Sequence, residues 1–243
     1  GNSPGAGTGL WILVSGPNTP TITSPSNQNS GVTGMIPGVY VFRWSISRGT
    51  CTPSTSNVQV TVSALPTTSN AGADQGICNS TTATLSGNNP LTGTGNWTMV
   101  SGPNSPTITA PGSPSSGVTG LIPGVYIFRW SISNGSCTPS TDDVQVTIFA
   151  TSTISNAGFD QNLCNVTSTT LTGNIPTAGS GVWTLVSGSN TPTISTPLNA
   201  STTVTGMITG VYTFRWVITN GVCAPSNDDV QVTDEGRVLT NYV

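Results

Sequence analysis

Trp11, Trp97 and Trp183 stand 86 residues apart, and Trp44, Trp130 and Trp216 repeat the step. Cys51, Cys137 and Cys223 keep it too, as does the pair Cys78 and Cys164. No insertion or deletion breaks the register, so one unit of 86 residues is written almost three times. A fixed long period marks an array of similar modules. The register places a first module at 1–65, a second at 66–151, a third at 152–233 and a non-repeating tail at 234–243. Gly1 aligns with Gly87 and Gly173, so the first module is expected to lack its N-terminal strands.

Within a module the dominant pattern has a period of two. In the second copy Tyr126, Phe128, Trp130 and Ile132 point one way, while Ile127, Arg129, Ser131 and Ser133 point the other. Val144, Val146 and Ile148 alternate in the same manner with Asp143, Gln145 and Thr147. Such alternation, with aromatic and β-branched residues on one face, describes half-buried strands. No 3.6-residue period persists over a dozen residues. About seven short strands per module, punctuated by Gly, Pro and Asn, describe an antiparallel immunoglobulin-like β-sandwich. The fold class is therefore all-β, a tandem of such sandwiches. Trp11, Trp97 and Trp183, with Trp44, Trp130 and Trp216, are expected in the cores. Tyr40, Tyr126 and Tyr212 follow a Pro-Gly or Thr-Gly step in the manner of a tyrosine corner.

Composition limits the chemistry. Charged residues make up 5% of the chain, with no His, and the net charge is -3. No basic patch exists for nucleic acid or an anionic membrane. General acid–base catalysis draws mostly on His, Glu, Asp and Lys, and the repeats hold only a few Asp. Zinc sites need His or clustered Cys, and no C-x-x-C occurs. No catalytic residue, cofactor site or metal centre is expected, and the chain is not read as an enzyme. The Asp142-Asp143 and Asp228-Asp229 pairs supply too few oxygens for calcium, which takes six to eight. No apolar run is long enough to span a bilayer as a helix. With no charged and apolar leader at its start, the chain reads as a mature product or a fragment.

Five cysteines in a chain rich in Ser, Thr and Asn point to an oxidising compartment. Two connectivities fit the spacing. Cys78–Cys137 and Cys164–Cys223 are each 59 apart within a module and leave Cys51 unpaired; Cys51–Cys78 and Cys137–Cys164 are each 27 apart across module boundaries and leave Cys223. A strand of some ~20 Å between Cys51 and Cys78 disfavours the second. The first is therefore expected, with Cys51 unpaired within the chain.

The segments 26–29, 112–115 and 198–201 vary among copies and read as exposed loops. Arg43, Arg129 and Arg215 recur on the outward face, as contacts to a neighbour or as hydrogen bonds to the adjacent strand. Asn79, Asn96, Asn134, Asn165 and Asn199 lie in glycosylation sequons, which are permissive and no more.

Ala-Gly-Ala-Asp-Gln (71–75), Ser-Gly-Pro-Asn (101–104), Gly-Val-Tyr-Ile-Phe-Arg-Trp (124–130) and Asp-Asp-Val-Gln-Val-Thr (142–147) resemble PKD-type immunoglobulin-like repeats. The resemblance implies an extracellular stalk or adhesin of the kind found in large surface proteins of gliding and biofilm-forming bacteria. Two functions fit these features. One is a structural segment of a cell-surface fibre whose partners are neighbouring copies or further repeats. In it, head-to-tail strand complementation completes the first module, with Arg237–Val243 as a candidate strand. The other is an array that binds glycan or protein ligands through its variable loops. Neither involves nucleic acid, a cofactor or membrane insertion.

Overall fold

The computed structural model describes residues 1–236, so the strand expected over Arg237–Val243 lies outside the described residues. The second module shows the complete pattern. Its strands are β6 (Gln75–Cys78), β7 (Thr82–Ser86), β8 (Thr94–Ser101), β9 (Thr107–Ile108), β10 (Ser115–Thr119), β11 (Gly124–Ser133) and β12 (Ser140–Phe149), numbered after the five of the first module. They form a four-stranded sheet in the order β6-β12-β11-β8 and a three-stranded sheet in the order β7-β10-β9. Pairing is antiparallel except for β6, which runs parallel to β12 with Cys78 opposite Phe149. The third module repeats this with β13 (Gln161–Leu163), β14 (Ser168–Thr172), β15 (Ser180–Ser187), β16 (Thr193–Ile194), β17 (Ser201–Thr205), β18 (Gly210–Thr219) and β19 (Ser226–Asp234). Its sheets are β13-β19-β18-β15 and β14-β17-β16. β19 continues through the buried Asp234.

Alternation sets what each strand buries. Tyr126, Phe128, Trp130 and Ile132 of β11 are fully enclosed, with Val144, Val146 and Ile148 of β12 beside them and Leu85 and Val118 arriving from the facing sheet. Trp97 lies directly opposite Trp130 in the β8–β11 register, ring centroids 5.0 Å apart and tilted. The Trp11–Trp44 and Trp183–Trp216 pairs have the same geometry at 5.2 and 5.1 Å. Tilted aromatic pairs favour such spacings. The second indole leaves no room beneath it. A Cβ on Gly95 would come within 2.1 Å of Trp130 Cζ2, and Gly9 and Gly181 meet their tryptophans as closely.

The tyrosine corner is built from two segments. Tyr126 Oη accepts the Ile122 N–H at 2.9 Å and donates to Asn104 Oδ1 at 2.5 Å. Asn104 in turn donates to the Gly120 carbonyl at 2.8 Å. Asn18–Tyr40 and Asn190–Tyr212 reproduce the arrangement. The Asn of Ser-Gly-Pro-Asn is thus a core-capping residue as well as a turn former.

The first module contains β1 (Thr8–Ser15), β2 (Thr21–Ile22), β3 (Val32–Thr33), β4 (Gly38–Ser47) and β5 (Ser54–Val62). Its sheets are β1-β4-β5 and β2-β3, each one strand short of its counterpart. No described residue stands at the place of Leu85 in this module, and Val58 is 44% exposed where Val144 is 1%.

Tyr126→Phe removes one hydroxyl and strands the Ile122 amide and the Asn104 carbonyl oxygen. A loss of about 1–3 kcal/mol is expected, read as an earlier urea midpoint for the transition of the second module, with the β-sheet circular dichroism of the native chain unchanged.

Candidate functional site at the module junctions

Cys78, Cys137 and Cys223 lie where the modules meet. The turn after β18 is closed by the Cys223 N–H on the Asn220 carbonyl, with Gly221 at φ +52. That turn seats on the linker leaving the second module. Asn220 Nδ2 donates to the Ala150 carbonyl at 2.8 Å, and Gly221 packs so closely on Phe149 that a Cβ there would lie 2.3 Å from the ring. One module earlier Asn134 Nδ2 donates to the Ala64 carbonyl at 2.9 Å, with Gly135 against Ser63. The two junctions are the same contact displaced by one period. Asn134 is one of the sequon residues, but Asn220, which is followed by Gly-Val, makes the same bond. The asparagine is therefore explained by docking.

The docking turn carries the cysteine. Cys223 is bonded to Cys78 of the preceding module, with Sγ–Sγ 2.03 Å and Cα–Cα 5.0 Å. This overturns the expected Cys78–Cys137 and Cys164–Cys223 bridges. The reason is direction. Cys78 lies opposite Phe149 at the end of β12, whereas Cys137 precedes the start of β12 at Ser140. The ten residues of β12 hold those two sulfurs roughly 30 Å apart at ~3.3 Å per residue. No disulfide spans that distance. The Cys51–Cys78 and Cys137–Cys164 alternative is not formed either; Cys51, Cys137 and Cys164 are all free thiols.

The bond encloses a separation of 145 residues. In the chain-entropy model such a loop is worth about 5 kcal/mol. Each module folds around its own tryptophan pair, so much of that restraint acts on the orientation of one module against the next. Cys137 occupies the equivalent place at the first junction, its Sγ 3.3 Å from the Ala64 carbonyl, as Cys223 Sγ is 3.2 Å from that of Ala150. Cys164 lies 3.2 Å from the Gly236 carbonyl.

The outward arginines are engaged within their own modules. Arg129 forms a two-pronged pair with Asp143 at 2.7 and 2.8 Å, and Arg215 does so with Asp229. Arg43 donates to Asn57 Oδ1 at 2.9 Å across the same strand pair. Asp142 and Asp228 instead accept the Ala71 and Ala157 N–H groups, holding each linker-proximal segment to its sheet. Asp74 and Asp160 accept the Gln145 and Gln231 N–H groups. The adjacent aspartates therefore have separate structural tasks, and among the described residues no three His, Cys, Asp or Glu gather as a metal site.

The variable loops share a fixed backbone. The carbonyls of Gln28, Pro114 and Ala200 each accept the indole N–H of their module's first tryptophan and the N–H of Gly1, Gly87 or Gly173. A carbonyl makes these bonds whatever side chain it carries, so the sequence there is free to change.

A K319L-like PKD domain model matches residues 71–148 and again 157–233. The chain belongs to the K319L-like PKD domain family. The solution structure of the PKD domain from KIAA 1837 protein is similar at 24% identity, covering 37% of this chain and 92% of that one, with a TM-score of 0.33. Titin domains I67–I69, in an E-to-A variant, align over 95% of this chain and 88% of theirs at 9% identity and a TM-score of 0.47. Murine CEACAM1b aligns over 65% and 95% at 14% identity and 0.47. No match was found among curated proteins. A PKD module is a scaffold that hosts many functions.

The hydrogen bonds and charge of Arg129 hold the Asp143 carboxyl below the ordinary aspartate value of 3.8, and Arg215 does the same for Asp229. A lowered folded value stabilises the fold above the unfolded pKa, and that gain is lost as pH falls through the folded value. In an NMR titration both carboxyls are expected to titrate below 3.8. Arg129→Gln should raise Asp143 toward that value and leave Asp229 where it is, with little loss of stability because the pair is solvent-exposed.

Proposed function

We propose that the chain is a structural segment of an extracellular bacterial surface fibre or adhesin stalk, without catalytic activity. The observation that carries this reading is the Cys78–Cys223 bond between modules. A bridge inside a module would stabilise a domain. One between modules restrains the angle of an array, and that matters where length and stiffness are the function. Such bonds persist in oxidising surroundings, which supports an extracellular place. Identical docking at Ala64 and Ala150 adds a fixed geometry at each step.

Neighbouring copies or further repeats are the partners of this reading, with strand complementation as the head-to-tail contact. This reading includes neither nucleic acid nor membrane insertion among its partners. A glycan- or protein-binding array is supported less well, because the exposed loops offer no shared set of side chains from copy to copy.

Electron micrographs of the oxidised chain should show three modules in line. Reduction should widen the spread of angles between the second and third modules and leave that between the first and second unchanged, since the latter carries no bond here. Modules folded back side by side, or angles indifferent to reductant, would contradict the stalk.

A further inference from the structure

The Cys78–Cys223 bond gives the chain two covalent routes between the same two points. Along the backbone the residues are 145 positions apart, yet their Cα atoms lie 5.0 Å from each other. Tension follows the shorter route. It enters the second module along β6, crosses the bond, and leaves the third module along β19. This holds for a pull between any point before Cys78 and any point after Cys223. Residues 79–222 lie outside the loaded route.

The residues left unloaded are those that keep the two sandwiches folded. They comprise β7 to β12 and β13 to β18, with both tryptophan pairs and both tyrosine corners of these modules. Of the buried residues in the second core, only Ala71 stands on the loaded route; in the third, only Val230 and Val232 do. The loaded strands have little length to give. β6 and β19 are extended already, so pulling along them draws out no slack. β6 is held to β12 over four register positions and β19 to β18 over nine. A pull along a strand loads such ladder bonds together, not one after another. The first junction carries no bond, since Cys51 and Cys137 are free thiols. Tension therefore reaches the first module whether or not Cys78 and Cys223 are joined.

We propose that the Cys78–Cys223 bond is a load-bearing shunt that carries tension past the second and third sandwiches and withholds their unfolded length until it is reduced. The inference rests on the stalk reading and gives that stalk an extensibility set by redox state. Release is a thiol–disulfide exchange with a dithiol reductant. One thiolate of the reductant attacks a sulfur of the bond, and the other cysteine leaves with the electron pair and takes up a proton. The second thiol of the reductant then attacks the mixed disulfide. Both cysteines end as thiols, and the reductant leaves as a cyclic disulfide that has given up two electrons and two protons.

The test is force spectroscopy on the full chain, gripped at its two ends, in oxidising buffer and again with dithiothreitol. Complete unfolding after reduction should add about 500 Å of contour length, from 145 residues at roughly 3.3–3.6 Å each. Cys223→Ser should reach the longer value without reductant. Cys137→Ser, which leaves the bond intact, should keep the shorter one. Reduction of the folded wild-type chain gives the reading even where Cys223→Ser fails to fold. Equal contour lengths in the two buffers, or a Cys137→Ser chain as long as the reduced one, overturn the proposal. Micrographs of the same oxidised sample separate the two ideas. Equal lengths from in-line modules remove the shunt and leave the stalk, whereas a reductant-dependent length from modules folded back side by side does the reverse.

Discussion

The array depends on the seating of one small turn on one linker carbonyl. Asn134 on Ala64 and Asn220 on Ala150 set the position of each module on the one before it. A single neutral hydrogen bond contributes only about 0.5–1.5 kcal/mol, too little to hold a junction against the freedom of a linker. The tight approach of Gly221 to Phe149 adds shape, and the Cys78–Cys223 bond makes the position permanent. The seated turn holds Cys223 where it meets Cys78, Cα–Cα 5.0 Å.

The same step recurs at each junction because the internal period repeats the parts that make it. The core of each module is independent: a tilted tryptophan pair over a glycine that admits no side chain, closed by a tyrosine corner. Junction residues lie on the ends of long strands, where the core does not constrain them. The parallel pairing of β6 with β12 then brings the first cysteine of a module to the end that the next module touches.

Much of this was legible in the residues. Alternation in 124–133 and 143–148 named the buried faces, and the PKD-like motifs named the family. The cysteine pairing was not legible, because a spacing of 59 residues carries no direction. It requires knowing that Cys78 and Cys137 sit at opposite ends of β12. The tasks of Asn104, Asn134 and Asp142 were hidden for a related reason. Each side chain serves a backbone group far away in sequence, Gly120, Ala64 or Ala71, and local pattern says nothing about such partners. One signal was available: Asn18, Asn104 and Asn190 stand at the same place in all three copies.

The measurement closest to the central claim is disulfide mapping of the chain by mass spectrometry after alkylation without reductant. The intermodule staple predicts one cross-linked species joining the peptides of Cys78 and Cys223, with Cys51, Cys137 and Cys164 alkylated. Cross-links of Cys78 to Cys137 and of Cys164 to Cys223 would contradict it, and the restraint on module angle would go with them.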